Sequence, residues 1–82
     1  MKLPRDVSGE ELAGLLARHG YRVTRQTGSH LRLTTTVLGE HHITVPRHSP
    51  LKVGTLGGIL ADVADHLKIP KEELVRELCH KR

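Results

Sequence analysis

The segment Tyr21-Arg22-Val23-Thr24-Arg25-Gln26-Thr27-Gly28-Ser29-His30-Leu31-Arg32-Leu33-Thr34 decides how this chain folds. Two alternating runs flank a short Gly-containing turn. In the first, Tyr21 and Val23 oppose Arg22, Thr24 and Gln26. In the second, Leu31 and Leu33 oppose His30, Arg32 and Thr34. Alternation with period two means a strand with one buried face, and two such runs joined through Thr27-Gly28-Ser29 predict an antiparallel hairpin. A turn near Leu38-Gly39-Glu40 leads to a third strand, His42 to Val45, with Ile43 and Val45 inward and Pro46 ending it.

Upstream of the hairpin, Ser8-Gly9-Glu10-Glu11 reads as a capping box, with Val7 and Leu12 placed for a hydrophobic staple. Leu12, Leu15, Leu16 and His19 then recur at helical spacing, and Gly20 is a natural stop, so a helix is expected over Gly9 to His19. Downstream, Leu56, Ile59, Leu60, Val63 and Leu67 follow the 3.6-residue period behind Thr55, the expected N-cap. A third helix is expected from Pro70, with Glu72 and Glu73 in its first turn and His80, Lys81 and Arg82 at its end, charges that suit the helix dipole. Its apolar face is Leu74, Val75 and Leu78.

The order helix, three strands, helix, helix predicts an α+β fold in which one face of a three-stranded antiparallel sheet is covered by helices. The covered face is expected to take Tyr21, Val23, Leu31, Leu33, Ile43 and Val45. The open face is expected to take Arg22, Thr24, His30, Arg32, Thr34, His42 and Thr44, a polar and basic set. With no repeat or linker, residues 1–82 read as a single domain, one modest core burying about 60–65% of the unfolded chain's surface.

Charge locates the partner surface. The chain holds 13 Lys+Arg against 9 Asp+Glu, a net of +4. From Arg18 to Lys52, six cations face one anion, Glu40, giving +5, and five of the seven histidines lie in the same stretch. From Thr55 to Arg82 the signs balance, five against five. An anionic partner is therefore steered to the middle of the chain. A single Tyr, with no Phe and no Trp, excludes a platform for stacked bases. One cysteine, Cys79, allows neither an internal disulfide nor a thiolate zinc cluster, which points to a reducing cytoplasmic setting, and half-buried packing is its expected role. Apolar runs reach only three residues, and Met1-Lys2-Leu3-Pro4 opens no signal segment, so no membrane association is expected.

Two features can carry chemistry. In Gly28-Ser29-His30 a glycine lets backbone approach a phosphate, a hydroxyl follows, and a histidine begins a rigid strand. Histidine is the side chain best suited to moving a proton near neutral pH. The second feature is the basic loop Pro46-Arg47-His48-Ser49-Pro50-Leu51-Lys52-Val53-Gly54-Thr55-Leu56 feeding a helix N-terminus, where free amides, Arg47 and Lys52 suit a phosphate. His19, His66 and His80 fall near helix C-termini, where an imidazolium suits the dipole. His41 would point inward by strict alternation and is assigned to the turn instead. The spacing of His41, His42 and His48 matches no metal-ligand pattern, and no metal or other cofactor is expected. The helix after Thr55 has no Arg, Asn or Lys before Lys68, which makes it a poor reader of DNA bases.

In combination these pieces give the chain its family likeness. His19-Gly20-Tyr21 closing the first helix, Gly28-Ser29-His30 opening the second strand, and Val45-Pro46-Arg47-His48 followed by Lys52-Val53-Gly54-Thr55-Leu56 and Ile59-Leu60 occur in an order and spacing that resembles the HicA-type toxins. The resemblance runs from Ser8 to near Leu78. It implies a fold similar to double-stranded-RNA-binding domains, mRNA cleavage without a metal, and a HicB-type antitoxin partner that silences the toxin. The motif histidine falls on His30, the motif's turn on Gly28 and Ser29, and its helix start on Lys52, Gly54 and Thr55. The segment after His66 is longer than in the shortest members.

The expected mechanism is attack of an RNA 2′-hydroxyl on the adjacent phosphorus, with His30 as general base or acid and Arg32, Arg22 and Lys52 holding the phosphate. His42 and His48 are the candidates for a second proton-transfer residue. The competing expectation is a non-catalytic RNA-binding module of the same fold. A DNA-binding or adaptor protein is disfavoured by the helix after Thr55, and a purely structural interaction domain by the net +5 of the middle segment.

Overall fold

The capping box expected at Ser8 forms. Ser8 Oγ accepts the Glu11 backbone N–H at 3.0 Å, and Glu11 Oε1 accepts the Ser8 N–H at 2.9 Å. Helix α1 then runs Gly9–Arg18, with His19 as its C-cap and Gly20 in the left-handed region at φ 99°. The helix thus ends one residue earlier than its apolar spacing predicts, because the chain reverses at Gly20 to bring Tyr21 N–H onto the Leu16 carbonyl. Three strands follow, β1 (Arg22–Gln26), β2 (His30–Thr35) and β3 (His41–Pro46), then helices α2 (Val53–Leu67) and α3 (Lys71–His80). This is a computed structural model; it describes residues 3–80, and His80 without its side chain. The expected dipole role of His80, Lys81 and Arg82 lies outside the described residues.

The sheet is an antiparallel meander in the order β1-β2-β3, and the α-β-β-β-α order with an added helix is the α+β arrangement anticipated from the alternation. On β2 and β3 the alternation holds: Leu31, Leu33, Ile43 and Val45 are buried, whereas His30, Arg32, His42 and Thr44 are exposed. The core adds Val7, Leu12, Leu15, Leu16 and Tyr21 before the sheet, and Leu51, Leu56, Leu60, Val63, Leu74, Val75 and Leu78 after it. Thr35 is the buried polar residue of this layer, and its hydroxyl accepts the Val37 N–H.

Four local expectations are corrected. Val23 is 47% exposed rather than part of the covered face. It lies opposite Leu33, but on β1, the edge strand of the sheet, where no further strand flanks it on the outer side. Helix α2 starts at Val53, not after Thr55. Its N-cap is Lys52, which gives no side-chain hydrogen bond. The start is set by a tertiary tie: Leu51 is buried and donates its N–H to the Val7 carbonyl at 2.7 Å, which fixes where the chain can begin to coil. His41 is the first residue of β3, facing inward and paired with Thr35, rather than a turn residue. Cys79 is exposed, on the outward side of α3.

Tyr21 explains how an inward histidine is accommodated. Its hydroxyl lies 2.6 Å from His41 Nδ1, while His41 Nε2 lies 3.2 Å from Asp62 Oδ1 of α2. The His66 ring stacks on His41 with centroids 4.3 Å apart, and His66 Nε2 donates to the Val37 and Gly39 carbonyls. Burial, reinforced by the Asp62 charge, pushes the Tyr21 hydroxyl up to about 12. Tyr21 therefore stays protonated and donates to Nδ1, which leaves the His41 proton on Nε2 facing Asp62. The cluster fastens the start of β1, the β2–β3 turn and the end of α2 to one another.

Candidate functional site

The hairpin turn builds its own frame around His30. Thr27 N–H donates to the His30 carbonyl at 2.9 Å, and Thr27 Oγ1 accepts the His30 N–H at 3.2 Å. These bonds hold the start of β2 rigid against the turn. Ser29 Oγ sits 3.0 Å from His30 Nδ1, which orients the ring and leaves Nε2 without a hydrogen-bond partner among the described residues. His30 is exposed, and so are Gly28 and Ser29.

Gly28 is informative because the fold does not demand it. A side-chain carbon built there would meet nothing within 4 Å, and its φ lies outside the left-handed region. Gly9 is the opposite case, since a Cβ there would collide with the Pro46 carbonyl. The bare backbone at Gly28 leaves open space at the turn two residues before His30.

A shallow depression of about 260 Å³ lies on the open face, lined by Arg25, Thr27, His30, Arg32 and Thr44. Of the residues singled out in the sequence, this brings His30 and Arg32 together. Arg22 lies elsewhere: it pairs with Thr34, four residues along β2 from His30, which is about 13 Å of strand. His42 shares that far row, opposite Thr34. Both its nitrogens are engaged, Nδ1 with Thr34 Oγ1 and Nε2 with Glu40 Oε2, each at 2.8 Å.

The loop after β3 returns toward the hairpin turn. Arg47 donates its backbone N–H to the Ser29 carbonyl at 2.8 Å, so the loop is registered against the residue before His30. The Arg47 guanidinium, however, pairs with Glu10 of α1 at 3.0 Å and is spent on holding that helix. His48 follows, exposed, and its carbonyl accepts the Gly9 N–H. Lys52 and Gly54 are exposed at the start of α2, outside the residues that line the depression, and Thr55 is half-buried there.

Sequence reasoning missed Arg25. Strict alternation assigns it to the covered side, but the register slips between Val23 and Arg25. Thr24 is the extra residue of this bulge. Its hydroxyl compensates for the broken ladder by bonding the Arg32 carbonyl at 3.3 Å and Thr34 Oγ1 at 3.0 Å. The slip places Arg25 opposite Arg32 and into the depression. No glycine marks the bulge, so the one available signal was a threonine able to bond backbone.

Among the described residues no three His, Cys, Asp or Glu side chains converge as metal ligands, and no helix is long and apolar enough to cross a membrane. No curated protein and no solved structure gives a significant match to the chain. A family model does match it: the HicA toxin of bacterial toxin–antitoxin systems aligns with residues 9–64, more than half of the chain. That span runs from the first residue of α1 through the hairpin, His30 and the β3–α2 loop into α2, so the chain belongs to the HicA toxin family.

Proposed function

We propose that the toxin acts as a metal-independent endoribonuclease on mRNA, with His30 as its general acid or base, and that a HicB-type antitoxin silences it. The observation that carries this reading is the state of His30. It is the exposed histidine of the open face whose Nε2 is free, and it sits beside two guanidiniums, Arg25 and Arg32, that have no ion pair among the described residues.

The chemistry follows from that arrangement. In the attack step a bond forms between the RNA 2′-oxygen and phosphorus, and the bond from phosphorus to the 5′-oxygen breaks. His30 Nε2 takes the 2′-hydroxyl proton or delivers one to the leaving oxygen, a contribution typically of about 10²–10⁴-fold. The Ser29 hydroxyl can accept from Nδ1–H or donate to bare Nδ1, so it supports the ring in either protonation state. Arg32 stabilises the charge that develops on the phosphoryl oxygens. Lys52, Arg22 and the open turn at Gly28 and Ser29 serve the strand on either side of the reacting phosphate.

A second proton-transfer group is chemically desirable. The pairing favours His48 over His42: His42 stands about 13 Å along the strand and is bonded at both nitrogens. His48 follows Arg47, whose N–H is tied to Ser29. Induced expression of the wild type is expected to arrest growth and deplete mRNA, and expression of His30→Ala to do neither. Unchanged toxicity of His30→Ala would sink the assignment.

A further inference from the structure

Arg25 and Arg32 stand directly opposite one another on neighbouring strands. Like charges in that relation destabilise a sheet. Neither guanidinium has an acidic partner among the described residues, although Glu10, Glu40, Asp62 and Glu77 all hold basic groups elsewhere. The juxtaposition is produced by an irregularity. Without the slip between Val23 and Arg25, the strand's alternation would turn Arg25 to the other face. A bulge that re-aims a side chain at the edge of a sheet is a known device near binding sites.

The surroundings indicate what the pair would hold. Thr27 and Thr44 add hydroxyls to the same depression, and His30 forms its wall. A guanidinium matches phosphate oxygens with paired donors, and two of them facing one shallow space match the charge of a nucleic-acid backbone. The depression includes Thr27 of the hairpin turn, and a side-chain carbon added at the next residue, Gly28, would meet nothing within 4 Å.

We propose that Arg25 and Arg32 form a phosphodiester subsite for the RNA strand next to His30, assembled by the bulge at Thr24. The site rests on the ribonuclease reading for the identity of its polymer. It adds a gripping residue, Arg25, that local sequence pattern assigns to the other face. When RNA is bound, its phosphates relieve the repulsion between the two guanidiniums. When RNA is absent, that repulsion costs the fold stability.

The test uses full-length protein carrying His30→Ala, so that RNA stays intact, and a fluorescent single-stranded RNA oligonucleotide as probe. Arg25→Gln and Arg32→Gln are each expected to weaken binding by roughly tenfold and to lower the salt slope by about 0.7. Arg76→Gln, on the exposed side of α3, serves as the control and is expected to change binding less than about twofold. Arg25→Gln is also expected to raise the melting temperature in the absence of RNA. Binding by Arg25→Gln equal to that of the control would overturn the subsite, whether or not the wild type cuts RNA. Tight RNA binding that depends on Arg25, in a protein that never cuts, would keep the subsite and remove the nuclease. If RNA binding is unaffected by Arg25→Gln but the complex with the antitoxin is lost, the pair serves a protein carboxylate and the proposal fails.

Discussion

Strands β2 and β3 each begin with a histidine, and the fold treats the two in opposite ways. His41 is half-buried, with Tyr21 on one nitrogen, Asp62 on the other and the His66 ring against its face. His30 is exposed, with one nitrogen against Ser29 and the other free. Both rings sit at the start of a strand, so position alone does not separate them. Saturation does. A histidine bonded at both nitrogens by groups from distant elements works as a fastener. One whose only partner is a rotatable hydroxyl can gain and lose a proton without disturbing the core.

The largest effect expected from that contrast is on activity. His30→Ala should lower RNA cleavage by purified protein by about 10²-fold or more while leaving the melting temperature within about a degree, since the residue is exposed and its ring bonds the exposed Ser29 hydroxyl next to it. A matched loss of stability would mean that His30 is a second fastener and would erase the distinction.

The glycines extend the comparison. Gly9→Ala sets a methyl against the Pro46 carbonyl, backbone against backbone, and should cost about 1–3 kcal/mol in urea denaturation. Gly28→Ala meets no neighbour within 4 Å and should leave the denaturation midpoint unchanged. If the turn receives RNA as proposed, the added carbon should still slow cleavage about tenfold. Equal stability losses in the two variants would show that the turn at Gly28 is structural after all.

His41→Ala should do the reverse of His30→Ala. It strands the buried Tyr21 hydroxyl and frees Asp62, at a cost of about 1–3 kcal/mol, with cleavage per folded molecule retained. The smallest effect is in alkali. Unfolded Tyr21 ionises near its ordinary 10, but the folded residue holds its proton to about 12. The unfolded chain therefore loses the proton first, so stability is intact below pH 10 and falls as pH rises from about 10 through about 12. Denaturation midpoints across that window should slope less steeply in Tyr21→Phe.

Much of the fold was legible because its signals are local. The capping box at Ser8, the stop at Gly20 and the alternations of Leu31 with Leu33 and Ile43 with Val45 each need only a few neighbouring residues to act. What escaped reading depends on distant partners. Whether α2 begins at Val53 or after Thr55 is decided by Leu51 reaching Val7. His41 faces inward because Tyr21, just before β1, and Asp62 and His66, both on α2, meet it there. Of the candidate site, His30 and Arg32 could be placed on one face from period alone. Arg25 could not, since the slip at Thr24 that delivers it is compensated by hydrogen bonds to Arg32 and Thr34 across the strand pair.

In the mechanism proposed for this toxin, the His30 imidazole cuts RNA by way of its 2′-hydroxyl. That mechanism is tested most directly by incubating purified wild type and His30→Ala with an RNA oligonucleotide and with the same oligonucleotide carrying one 2′-deoxy residue at the cut position. Only the wild type should cut, only the all-ribose strand should be cut there, and the product should end in a 2′,3′-cyclic phosphate. Equal cutting of the deoxy-substituted strand, or equal cutting by His30→Ala, would contradict it.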